Sequence, residues 1–80
     1  MESEIRAVLT MVGNLAVPVS VLAADADLFD AGLSSQAAVE LVFALEDRCG
    51  VTIPDELITR SALGSIAALV ATLHTASTSE

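Results

Sequence analysis

Few side chains in this 80-residue sequence could do chemistry. The nucleophiles are the adjacent hydroxyls of Ser34 and Ser35 and the thiol of Cys49, the one cysteine, and the one imidazole is His74. Nucleophilic catalysis needs a base within hydrogen-bond reach of the nucleophile, usually oriented by a third group. His74 lies near the C-terminal end, far along the chain from all three candidates. Cys49 stands at helical spacing from Leu41 and Leu45, so it reads as a small core residue at the negative end of a helix, where a thiolate is disfavoured. A single cysteine also excludes an internal disulfide and a multi-cysteine zinc site, which fits a reducing, cytoplasmic setting.

The aspartates of "DADLFDAG" invite comparison with a calcium-binding loop. An EF-hand loop wants oxygen ligands at positions 1, 3 and 5, Gly at 6 and Glu at 12. Counted from Asp25, those last three places hold Phe29, Asp30 and Gln36, and the pattern fails. Asp25, Asp27 and Asp30 read as a solvated loop. Neither G-x-G-x-x-G nor G-x-x-x-x-G-K-[ST] occurs. No catalytic residue and no metal ligand is assigned, and the chain is not expected to be an enzyme.

That leaves the two serines. A serine at a helix start caps it by accepting from backbone N–H groups two or three residues on. One serine suffices. If Ser34 caps, Ser35 is the first helical residue, with a free hydroxyl at the end of the helix that stabilises anions, phosphate above all. Paired serines also begin many helices without any such role, so the local pattern alone leaves both readings open.

The elements that position these residues follow from periodicity. Ile5, Val8, Leu9 and Val12 keep the i, i+3, i+4, i+7 spacing of an amphipathic helix over about residues 3–13, with Ser3 as N-cap and Gly13-Asn14 as stop. A long loop, Leu15 to Ser34, holds Pro18 and Gly32; its apolar residues Val17, Val19, Val21, Leu22, Leu28, Phe29 and Leu33 keep no single period and are expected to lie across the helices and close the core. The second helix runs from Ser35 to Cys49, with Ala38, Leu41, Val42, Leu45 and Cys49 on one stripe and Gly50 ending it. "VTIP" is an extended connector, "PDELITR" a short helix and "SALG" a loop. Ser65 caps a last helix carrying Ile66, Leu69, Val70 and Leu73, and "TASTSE" is expected to fray. The fold class is all-α: a small bundle of three main helices plus one short helix, with a long loop between helices 1 and 2. Residues 1–80 form a single domain, ordered over about 3–75.

Composition narrows the function classes. Eleven acids against Arg6, Arg48 and Arg60 give a net charge of −8. Such a surface repels nucleic acid and anionic lipid and speeds encounter with basic proteins. Most of the acids (Asp25, Asp27, Asp30, Glu40, Glu46, Asp47, Asp55, Glu56) fall in the middle of the chain, as either a solubilising surface or a partner-docking face. The N-terminus shows no signal peptide, and no apolar run approaches the roughly 18 residues of a membrane span.

The stretch "LFDAGLSSQAAVELVFALEDRCGVTIPDEL" resembles the acyl carrier protein family, including carrier domains of polyketide and nonribosomal peptide systems. Leu28, Phe29, Gly32, Leu33, Ser35, Val39, Glu40, Leu41, Ile53 and Pro54 match the family's Leu-Phe-x-x-Gly-Leu-Asp-Ser-Leu, Val-Glu-Leu and hydrophobic-Pro pattern at the right spacing. The family's modified serine stands three residues after the glycine and four before the valine, which is Ser35. Ser34 replaces the family's usual Asp, and Gln36 its usual apolar residue.

The resemblance implies a free-standing, monomeric carrier in which a phosphopantetheinyl transferase, using coenzyme A and magnesium, attaches 4′-phosphopantetheine covalently to Ser35. The arm's thiol would hold an acyl or aminoacyl group as a thioester for enzymes of fatty acid, polyketide or nonribosomal-peptide-type biosynthesis. Leu33, Gln36 and Val39 would surround the arm, and Ser34 would stand where the family's Asp is associated with recognition by the transferase. Glu40, Glu46, Asp47 and Asp55 would form a negative rim for loading ligases and downstream enzymes with basic patches. An alternative is a carrier specialised for amino acids, loaded by a dedicated adenylating ligase. An alternative of another class is an acidic helical interaction module without a prosthetic group.

Overall fold

The computed structural model describes residues 2–13 and 15–78. Its order is α1 (Glu2–Val12), a 3-10 turn (Val19–Val21), α2 (Ser35–Cys49), a second 3-10 turn (Asp55–Leu57), α3 (Arg60–Leu63) and α4 (Ile66–Thr78). The all-α expectation holds, with three main helices and one short one.

The apolar stripes read from the sequence meet in one core. Ile5 and Leu9 of α1, Leu41 and Leu45 of α2, and Ile66, Leu69 and Leu73 of α4 are almost wholly enclosed. Each such side chain contributes about 1.5–3 kcal/mol through removal from water. The long loop is pinned rather than loose: Leu28 N–H donates to Gly64 O at 2.7 Å, Ala67 N–H to Ala24 O at 2.8 Å and Ala16 N–H to Ala31 O at 3.0 Å. Leu28 is fully buried and acts as the loop's anchor. Val17 and Val21, expected to help close the core, instead face solvent. The turn that begins after Pro18 sends only Val19 inward, where Arg6 holds its carbonyl at 2.9 Å.

Three boundaries differ from expectation. Ser3 lies inside the first turn of α1, which begins at Glu2, and Asn14, named as a stop, falls outside the described residues. The short helix sits one turn later than "PDELITR". Only a 3-10 turn forms at Asp55–Leu57, because Ile58 leaves helical geometry (φ −90°, ψ 78°). Thr59 is extended and its Oγ1 accepts from Ala62 N–H at 3.1 Å, so the helix restarts there, over residues first read as a loop. Finally, α4 continues through Thr78, into the segment expected to fray; Ser79 and Glu80 fall outside the described residues.

Candidate functional site

Two glycines bracket α2. Gly32, at φ 113°, makes a turn that an L side chain would strain, and it places Leu33 inward at 4% exposure. Gly50 ends the helix in the left-handed region at φ 67°. Between them the expected bounds of α2 are met at both ends.

At the N-terminus the two serines divide the work. Ser34 is extended (φ −83°, ψ 162°), and its Oγ accepts from Ala37 N–H at 3.0 Å. That bond satisfies one of the donors a helix start leaves open. Ser35 is the first helical residue and is exposed, and among the described residues its hydroxyl makes no hydrogen bond. It opens on a cleft of about 170 Å³ lined by Phe29, Ala38, Val39, Ile58, Thr59, Arg60 and Leu63. No carboxylate or imidazole is among these residues. The cleft therefore offers a hydroxyl, apolar walls and one cation, but no base.

The remaining site candidates separate by their surroundings. Gln36, Val39, Glu40 and Asp47 are exposed along the outer side of α2, with Val39 at 47%, and Asp55 is exposed on the following turn. Leu33, expected beside the arm, is buried after the turn at Gly32 and lies in the core rather than on the outer side of α2. Glu46 is less open than the other acids of the expected rim. Its carboxylate is half-buried and accepts Ile53 N–H at 2.7 Å, so it fastens the connector after α2. Ser34 stays exposed, with its hydroxyl committed to the cap.

Sequence reasoning missed Phe43 and Arg60. Phe43 is 65% exposed one turn beyond Val39, on the same outer face. Its position off the Leu41–Leu45 stripe was the available signal. Arg60 stacks on Phe29, its guanidinium carbon 4.2 Å from the ring centroid. Nothing local announces a contact between residues so far apart in the chain.

Elsewhere, Asp27 spends its carboxylate on Phe29 and Asp30 N–H groups, at 2.9 and 3.2 Å, in the loop before the site. Among the described residues no group of three or more His, Cys, Asp or Glu could hold a metal ion, and no helix is long and apolar enough to cross a membrane. His74 is exposed on α4. Cys49 is half-buried beside Glu4, and burial, then the Glu4 charge, push its thiol pKa up.

Comparison with known proteins follows the same outline. The family described as "Phosphopantetheine attachment site" matches residues 6–73. An aminoacyl carrier protein of Agrobacterium fabrum is 41% identical over 69 residues, 86% of this chain and 83% of that one. In shape, the chain matches one in the crystal structure of engineered Bradyrhizobium japonicum glycine:[carrier protein] ligase complexed with carrier protein from Agrobacterium tumefaciens and AMP. That match has a TM-score of 0.89 and 39% identity, over 92% of this chain and 99% of the other. A second match, with a TM-score of 0.76 and 27% identity over 89% of this chain and 95% of the other, is to a chain in the crystal structure of Bradyrhizobium japonicum glycine:[carrier protein] ligase complexed with glycylated carrier protein.

Proposed function

The chain belongs to the acyl carrier protein family, and from that premise we propose that Ser35 is the residue to which its phosphopantetheine is attached. The chain is a carrier protein, and phosphopantetheine is its prosthetic group. That membership removes the ground for an interaction module without an arm. When attached, the arm supplies a thiol that holds the cargo as a thioester.

The observation that carries Ser35 is the division of labour at the start of α2. Ser34 is bound to Ala37 N–H, while Ser35 is exposed and open for substitution. The residues present fit the group: a free hydroxyl at a positive helix end, a cleft beside it, and no acid lining that cleft to repel a phosphodiester. In the loading step the Ser35 oxygen would form a bond to phosphorus as the pyrophosphate bond of coenzyme A breaks, with adenosine 3′,5′-bisphosphate as the leaving group. The Ser35 hydroxyl proton leaves to a base of the transferase, since no residue lining the cleft can take it.

The outer face of α2 serves as the docking surface in this reading. Gln36, Val39, Glu40, Phe43 and Asp47 offer two apolar contacts among acids, over about 16 Å of helix. A transferase or ligase with a basic, partly apolar patch complements it, and a small charged interface suits repeated release.

Among cargoes, an amino acid is favoured over a fatty acyl group. The relatives named above are an aminoacyl carrier protein and carriers crystallised with a glycine ligase, which point to an adenylating ligase as the loading partner.

Mass spectrometry tests the attachment. Incubated with coenzyme A, magnesium and a broad-specificity transferase, the folded protein gains one phosphopantetheine. Ser34→Ala keeps the gain and Ser35→Ala loses it. No adduct on folded protein, or an adduct surviving in Ser35→Ala, overturns the assignment.

A further inference from the structure

We propose that Arg60 is a positioning residue for the phosphodiester on Ser35, an inference that rests on the attachment reading above. Arg60 and Ser35 line the same 170 Å³ cleft, and Arg60 is its one cation. The chain has two other arginines, and both are placed elsewhere. Arg6 pairs with Glu2 at 3.0 Å and donates to Val19 O at 2.9 Å. Arg48 lies in the last turn of α2, about 20 Å along the helix from Ser35.

The stacking gives Arg60 a defined place. With its guanidinium carbon 4.2 Å from the Phe29 ring centroid, it is attracted by the ring's negative face. Stacking occupies the face of the guanidinium and leaves its N–H edge, the part that forms paired bonds with phosphate oxygens. Among the described residues Arg60 forms no ion pair with a carboxylate. Asp25 and Asp27 line, together with Arg60 and Phe29, a second and broader basin. Asp27 already accepts two backbone N–H groups. A phosphodiester adds negative charge to a chain whose net charge is already −8, which opposes it. An exposed cation held beside the attachment point, together with the positive end of α2, offsets it locally.

Nuclear magnetic resonance tests this without any downstream enzyme. Phosphopantetheine is attached first, and its mass on Ser35 is confirmed. Conversion from apo to holo protein then shifts the Arg60 Nε–H resonance and leaves those of Arg6 and Arg48 in place. The phosphorus-31 resonance of the holo protein moves toward its position in the urea-unfolded protein when Arg60 is replaced by Gln, and part of the way back with Arg60→Lys, which keeps charge without the flat fork. Raising salt shrinks the difference between wild type and Arg60→Gln. If the arm is attached and neither the Arg60 nor the phosphorus resonance responds, the Arg60 role is wrong and Ser35 stands. If no arm is found on Ser35, both inferences fall.

Discussion

The Glu46 carboxylate accepts the Ile53 backbone N–H at 2.7 Å, and so ties the last turn of α2 to the strand-like connector that precedes Pro54. The neighbouring acid Asp47 faces solvent. Two adjacent acids of one helix thus do different things. A carboxylate bonded to a backbone donor contributes about 1.5–3 kcal/mol, whereas an exposed acid contributes little.

Glu46→Ala is expected to lower stability by about that amount, a drop of the order of 10 °C in Tm for a domain this small. Asp47→Ala should stay within about 0.5 kcal/mol of wild type. Urea denaturation of the two variants side by side checks the contrast. Equal effects would show that the Ile53 bond contributes nothing.

The cap predicts a separation of stability from function. Ser34→Ala removes the acceptor of Ala37 N–H and should cost about 1 kcal/mol while leaving Ser35 loadable. Ser35→Ala leaves the cap intact and should scarcely change stability. Thermal melts together with the adduct mass read both halves.

Gly32 is the turn on which the placement of Ser35 depends. At φ 113° an added Cβ is strained, and it would lie 3.1 Å from Ala16 N, whose N–H holds Ala31 O. Gly32→Ala should therefore destabilise by about 1–3 kcal/mol and slow loading beyond what the lost folded fraction explains. Loading rates measured well below the variant's Tm distinguish the two contributions.

These contrasts mark what could be read from the chain alone. The bounds of α2 were legible because Ser34 and Gly50 act within one turn of the helix they end. The core stripes were legible because they depend only on helical period. The burial of Leu33 was not legible because its direction follows from the positive φ of Gly32, which a list of apolar residues does not reveal. The hydrogen bond of Glu46 was not legible because its partner lies seven residues on, across a helix end. The short helix starts later than its sequence suggests because Ile58 breaks the turn and Thr59 caps a new one. Arg60 over Phe29 is a tertiary contact with no local trace.

The outer face of α2 predicts a salt-dependent partner effect. Glu40→Lys and Asp47→Lys should slow loading by a basic partner at low salt, with the gap closing near 0.5 M as charges are screened over about 4–5 Å. Phe43→Ala should slow loading at every salt concentration, because an exposed aromatic acts through apolar contact. None of the three should lower Tm by more than about 2–4 °C. Unchanged rates in all three at low salt would reduce this face to a solubilising surface.

Cys49 predicts the alkaline limb of stability. Burial first, and the Glu4 carboxylate second, raise its thiol above the ordinary value of 9.0. In the unfolded chain the thiol ionises at its ordinary value, so between that value and the higher folded one the native state holds the extra proton. Stability linked to Cys49 is therefore complete below about pH 8, declines as pH rises past the unfolded value, and is lost once pH passes through the folded value. Cys49→Ala removes this component while costing some packing, so its unfolding free energy should fall less than that of wild type between pH 8 and 10.5. Urea titrations at those two pH values, under reducing conditions, decide it. Parallel declines in the two proteins would mean that the thiol ionises alike in the folded and unfolded chain.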